Sequence, residues 1–263
     1  MATQKGRSPP GHFLFRSSPL IEESTFLLEH LRSALEDRGD NPHVLDIGCG
    51  SGRDAIIMAS KGWQVTALDR DEKGVKRCGA LAARQGCNDL FRGVCVELKK
   101  SGDLLDVLRR EGHSDRQYDA VIVNRTLHRE TLPEIASLLR PGGLLLYHTF
   151  TEGNSHPTDP KSVLGVSELR DTFSPTLDIL RDEILPVEDG RLLTFFVARY
   201  ALLMMRTPSN MNLAGSVQDL KEVSTINSNP PKNGPGATGV TSRSCQGCVE
   251  FGMGIPGLTL GMF

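Results

Sequence analysis

The stretch Val44-Leu45-Asp46-Ile47-Gly48-Cys49-Gly50-Ser51-Gly52-Arg53-Asp54 limits the folds open to this chain more than any other. Val44, Leu45 and Ile47 predict a strand buried on both faces, as strands are in a parallel sheet covered by helices. Gly48, Gly50 and Gly52 predict a tight turn, and Asp54 the start of a helix. Lacking Cβ atoms, such a turn lets its backbone N–H groups approach a ligand closely. Strand, glycine turn and helix in that order open the doubly wound α/β folds, whose ligands sit beyond the carboxyl ends of the strands.

The rest of the chain keeps the alternation. Residues 20–35 place Leu20, Ile21, Leu27, Leu28, Leu31 and Leu35 on one apolar helical face, and Gly39 with Pro42 stops that leading helix. After the strand at 43–47 come a helix at 54–61 closed by Gly62, and a second strand at 63–68 ending at Asp69. A helix at 71–85 then begins with acids suited to the positive end of the helix dipole and finishes at Gly86. A third strand is expected at 91–98, a helical piece at 104–108 and a fourth strand at 118–124. A short helix at 132–139, a turn at Pro141-Gly142-Gly143 and a fifth strand at 144–150 follow. Residues 166–173 suit a helix, and 177–180 with 192–198 suit two strands around a Glu188-Asp189-Gly190 turn. The expected fold is α/β, a doubly wound, mostly parallel seven-stranded sheet with a C-terminal antiparallel hairpin.

This reading divides the chain into an N-terminal segment at 1–42, a ligand-binding domain at 43–200 and a tail at 201–263. From about Thr207 the tail is rich in Gly, Pro, Ser, Thr and Asn with scarcely any apolar periodicity, so it is expected to be disordered, with a weak helical piece at 217–223. A hydrophobic content of 38% over 263 residues is enough for one substantial core. The formal net charge of -2 leaves no overall positive field for nucleic acid, and no apolar run is long enough to cross a membrane. The six cysteines follow no secretory spacing, which points to a reducing, cytoplasmic home, and the single pair Cys245 and Cys248 is read as incidental. Lys5, Arg7 and Arg16 resemble a transit peptide, but Pro9-Pro10-Gly11 interrupts any amphipathic helix there and no cleavage is expected.

Asp46 narrows the ligand. A carboxylate at the end of the first strand repels a pyrophosphate and welcomes a cation, and S-adenosylmethionine carries an ammonium and a sulfonium but no phosphate. Asp46, Gly48, Cys49, Gly50 and Gly52 are therefore the first candidates to hold that cofactor. Asp69, seventeen residues past Gly52, can accept both ribose hydroxyls, with Arg70 beside it. An acid there would serve NAD equally. Glu97 and Leu98 are placed to meet the adenine edge, and Asn124 and Arg125 to line the space under the methionine part and the acceptor. No metal ligands are expected.

The chain resembles the tellurite-resistance type branch of class I S-adenosylmethionine-dependent methyltransferases. The stretches 44–59, 62–69, Tyr118-Asp119 with Asn124-Arg125-Thr126-Leu127-His128-Arg129, and Leu139-Arg140-Pro141-Gly142-Gly143 through Phe150 carry the resemblance, which spans roughly residues 20–199. It implies a Rossmann-like methyltransferase fold, the cofactor and methyl transfer. Glu97 stands where members of that family more often carry aspartate.

Methyl transfer is an in-line displacement, and holding acceptor and methyl in line supplies most of the rate. An acceptor that arrives deprotonated needs no base, whereas an amine or hydroxyl does. His128 and Arg129 are the catalytic candidates, with His148 a weaker one and Arg125 able to bind an anionic acceptor. No Asn-Pro-Pro-Tyr or Asp-Pro-Pro-Tyr run follows the fourth strand, which favours a small-molecule acceptor such as a thiol or chalcogen oxyanion over a nucleobase or glutamine amide. Two other functions stay open: an NAD-dependent oxidoreductase, and a methyltransferase-like subunit that stabilises a partner. Monomer and homodimer are equally compatible with the sequence.

Overall fold

The computed structural model describes residues 16–113 and 118–201. Two short helices, α1 (Pro19–Glu23) and α2 (Thr25–Glu36), precede β1 (His43–Ile47), α3 (Arg53–Ser60), β2 (Gln64–Asp69), α4 (Glu72–Arg84) and β3 (Phe91–Cys95). Then come α5 (Asp103–Arg110), β4 (Tyr118–Asn124), α6 (Leu132–Leu138), β5 (Leu139–His148), α7 (Glu168–Phe173), β6 (Leu177–Pro186) and β7 (Leu192–Tyr200). All seven strands join one sheet in the order β3-β2-β1-β4-β5-β7-β6. β1 to β5 run parallel, and β7 lies antiparallel to both β5 and β6. The expected mixed sheet and terminal hairpin are both present. The expected tail at 201–263 lies, beyond Ala201, outside the described residues.

The strands alternate between two apolar layers. Leu45, Ile47, Val121 and Val123 point into one layer with Leu104, Leu108 and Ile135, while Val44, Ala120 and Ile122 point into the other with Ile56, Met58 and Trp63. With helices on both faces, a central strand has no polar side, which is why β1 and β4 read as continuous apolar runs. Asp46 in β1 and Asp119 in β4 are buried exceptions, and Asp119 is structural. Its carboxylate accepts from His43 N at 2.9 Å and from the Arg140 guanidinium at 3.0 Å, tying the starts of β1, β4 and β5 together.

Four local expectations change. The leading helix breaks at Ser24, whose ψ of 5° ends α1 before α2 begins at Thr25. β3 stops at Cys95, opposite the last residue of β2, with Val96 N donating to Asp69 O at 2.8 Å just beyond the last paired residues. Pro141, Gly142 and Gly143 form no free turn but a bulge inside β5, where the step from Tyr118 to Ala120 faces the step from Leu139 to Leu144. β6 runs to Pro186 through Arg181, Asp182 and Glu183, residues that look unlike a strand until the strand proves to be the sheet edge, where charge is tolerated and protective.

Candidate functional site

β1 and β4 are neighbours in the sheet, yet their following helices lie on opposite sides, so the chain parts beyond their carboxyl ends. Such a switch point is where doubly wound sheets bind ligands. A cleft of 790 Å³ opens there, within the range of a small-molecule site.

The glycine turn forms one wall. Gly48 N and Cys49 N both donate to Leu68 O, at 2.8 and 3.0 Å, which anchors the turn on β2. Gly48 has φ 78°, and a Cβ there would meet Thr126 Cγ2 at 2.6 Å, so only glycine lets the loops after β1 and β4 pack together. Gly50 has φ 55°, and a Cβ there would meet nothing within 4 Å, because its face opens on the cleft. Beneath the turn Cys78 Sγ donates to Gly50 O at 3.5 Å, and the neighbouring Cys78 together with burial holds Cys49 strongly protonated.

Asp69 closes the far side. Its Oδ2 accepts from Gly50 N at 2.7 Å and its Oδ1 from Asp71 N at 2.8 Å, so two backbone amides orient the carboxylate at the rim. Asp46 lies deeper and is 2% exposed. Burial, with Asp54, Cys78 and Asp69 nearby, pushes its proton affinity well above the ordinary carboxylate range. Asp54 accepts from Ser18 N at 2.7 Å and from Asn124 Nδ2 at 2.9 Å, which locks α1, α3 and β4 around the floor. The Asn124 Oδ1 is buried in the cleft wall with no hydrogen-bond donor.

Beyond β4, Arg125 adopts φ 54°, the one non-glycine residue with positive φ among the described residues. His128 lines the cleft half-buried; burial first and Arg70 second lower its proton affinity, leaving a neutral imidazole at neutral pH.

Of the residues singled out from sequence, Asp46, Gly48, Cys49, Gly50, Asp69, Arg70, Leu98, Asn124, Arg125 and His128 all line this cleft. Gly52, Glu97 and Arg129 do not. Gly52 serves packing, since a Cβ there would meet Cys78 Sγ at 2.7 Å. Val96 and Leu98 turn inward, so Glu97 between them turns outward and pairs with Lys99 at 2.8 Å. Arg129 points away into the chain leading to α7: it grips Glu168 through bonds of 2.5 and 2.9 Å and the carbonyls of Pro160 and Val163 at 2.7 and 2.6 Å. That is a clamp on a loop, not a group facing a substrate. His148 is buried beside Phe195, its Nδ1 2.7 Å from Thr194 O.

Sequence reading missed Arg53, Asp54, Phe150, Lys161 and Arg191, charged and aromatic side chains among the further lining residues. Arg53 and Asp54 sit in the glycine motif itself and were legible as its end. Phe150 and Arg191 are brought together only by the antiparallel return of β7 beside β5.

The family model of the methyltransferase domain matches residues 21–174, from within α1 through α7. Over 225 residues the chain is 27% identical to an uncharacterized protein of Schizosaccharomyces pombe, covering 73% of this chain and 65% of that one. Over 111 residues it is 33% identical to the ubiquinone biosynthesis O-methyltransferase of Caulobacter vibrioides, covering 40% of each. The chain thus spans between 40% and 65% of the length of these curated relatives. The solved cyclase SpnF shares the fold, with a TM-score of 0.51 at 14% identity, covering 69% of this chain and 82% of that one.

Proposed function

Because the chain belongs to the methyltransferase-domain family, we propose that its cleft binds S-adenosylmethionine and that the methyl group passes to a small-molecule acceptor. The observation that carries this reading is Gly50, a left-handed glycine whose missing Cβ leaves its backbone open to the cleft directly beside the Asp69 carboxylate. The donor set suits the cofactor. Asp69 would accept from the ribose hydroxyls, and Val96 and Leu98 offer apolar side chains to the adenine, taking the place first given to Glu97. The unpartnered Asn124 Oδ1 is an acceptor waiting for a donor, which the cofactor's ammonium supplies. Asp54, and Asp46 once it gives up its proton in the bound cation's field, add negative charge where the amino-acid end would lie, a poor place for a diphosphate.

When bound, S-adenosylmethionine supplies an electrophilic methyl on a cationic sulfur. The protein's own contribution is orientation and exclusion of water. His128, neutral and facing the cleft, takes the proton from an acceptor that arrives protonated. Arg129 holds the wall rather than the substrate. A chalcogen oxyanion or a thiol that arrives deprotonated would need only positioning. A cytoplasmic setting fits the cysteine usage, and among the described residues no helix is long and apolar enough to cross a membrane.

Calorimetry with S-adenosylhomocysteine, followed by transfer of labelled methyl to thiols, selenite, tellurite and carboxylate metabolites, tests the proposal. Saturable binding and turnover of at least one small acceptor are expected. Absence of binding refutes it. Binding without turnover on any of these, together with a co-purifying protein, replaces it with a partner-stabilising role.

A further inference from the structure

The cleft has two chemically different ends. Asp69 and Leu98 mark the end over β2 and β3, whereas Arg125 after β4, Phe150 after β5 and Arg191 before β7 gather at the other, with Arg53 from the start of α3. Arg125 and Arg191 both lie over the Phe150 ring, their guanidinium carbons 5.9 and 4.8 Å from its centroid. Arg191 is paired with Asp189 at 2.5 Å. Among the described residues neither Arg53 nor Arg125 has a carboxylate within 4.0 Å. Burial, then the neighbouring Arg53 and Arg191, lower the proton affinity of Arg125, and Asp189 and Asp54 offset this only in part. The backbone of Arg125 is also held in a left-handed conformation, with its N–H on His148 O at 2.7 Å, a strained arrangement for a non-glycine residue.

Two guanidinium groups that face a cleft with no ion-pair partner among the described residues form a site for an anion. The cofactor cannot satisfy both. S-adenosylmethionine has a single carboxylate and carries a net positive charge, so it adds to the excess instead of cancelling it. We propose that the acceptor brings an oxyanion, an organic carboxylate or a chalcogen oxyanion, which Arg53 and Arg125 bind against Phe150. This rests on the methyltransferase reading above and gives that same site its substrate class. The anion at this end would set the acceptor's reacting atom toward β1 and β4, on the methionine side of the cleft.

The test uses the full chain saturated with S-adenosylhomocysteine, titrated in a calorimeter with 3-mercaptopropionate, its neutral amide and selenite. The acid, selenite or both should bind at least tenfold more tightly than the amide, and which of them binds identifies the source of the oxyanion. Arg53→Gln and Arg125→Asn should each weaken that binding by roughly 10- to 100-fold, the loss of one charge-assisted contact. Affinity for S-adenosylhomocysteine should change less than about threefold on the same constant. Asparagine is chosen at 125 because it tolerates positive φ, so the fold is kept. Equal binding of acid and amide, or no binding of either anion, overturns the proposal. So does an equal loss of S-adenosylhomocysteine affinity in both variants, which would assign the arginines to the cofactor's carboxylate. Failure of the unaltered chain to bind S-adenosylhomocysteine would instead refute the methyltransferase reading.

Discussion

Replacing Asp69 by alanine probes the cofactor site most directly. The carboxylate accepts two short backbone hydrogen bonds, from Gly50 N at 2.7 Å and Asp71 N at 2.8 Å, so it is already aimed before any ligand arrives. A hydrogen bond to a charged group is worth about 1.5–3 kcal/mol net, and the half-exposed rim argues for the lower part of that range. Losing the acceptor for two ribose hydroxyls should therefore cost about 2–4 kcal/mol of binding, a roughly 30- to 1,000-fold rise in Kd for S-adenosylhomocysteine. Stability should fall by only about 1–3 kcal/mol, because the turn keeps its two bonds to Leu68 O. Asp69→Asn should bind at an intermediate level, since its amide group sets a donor against one of the two backbone donors. Calorimetry with S-adenosylhomocysteine and with its 2′-deoxy analogue separates the contributions. The unaltered chain should discriminate against the deoxy ligand and the alanine variant should not. If Asp69→Ala, folded by circular dichroism, binds within about threefold of the unaltered chain, the carboxylate does not hold the ribose and the orientation assigned to the cofactor is wrong.

Two further perturbations separate the fold from the site. Gly48→Ala and Gly50→Ala both place a side chain at positive φ, but only the first collides, with Thr126 Cγ2 at 2.6 Å. Thermal unfolding should show Gly48→Ala losing more than Gly50→Ala, which should lose about 1 kcal/mol from backbone strain yet forfeit cofactor binding; equal binding by Gly50→Ala and the unaltered chain would contradict the cradle. Asp46 ties the site to pH. Its folded-state proton affinity is raised, so the ionised carboxyl costs stability at high pH and that cost fades as pH falls through its elevated titration range. Asp46→Asn should therefore melt higher than the unaltered chain at neutral pH and bind the cofactor more weakly. The unaltered chain should also release a proton on binding, measured by calorimetry in buffers of different ionisation enthalpy. A buffer-independent binding heat, or a variant that melts lower at neutral pH, would count against this account.

Strand positions were legible where burial is two-sided and the apolar run is its own signal, as in β1 and β4. They were misjudged where the environment differs from that rule. Charged β6 is a strand only because it is an edge, and Gly142 and Gly143 lie in a strand only because a bulge absorbs them. The site divides the same way. Residues carried on the strand ends, from Asp46 to His128, could be placed by counting from the glycines. Glu97 could not, since whether it faces in or out depends on where β3 ends. Arg129 could not either, because its partner Glu168 lies on the distant α7.

The sequence by itself determines the alternating architecture, the glycine turn and the acid that answers it from β2, because periodic burial and left-handed glycines are local properties of the chain. Only the tertiary structure decides which charges meet. The antiparallel return of β7 sets Arg191 against Phe150 and beside Arg125, which like Arg53 has no ion-pair partner within 4.0 Å among the described residues. Electrostatics acts through space across residues far apart along the chain, and no local pattern encodes that distance.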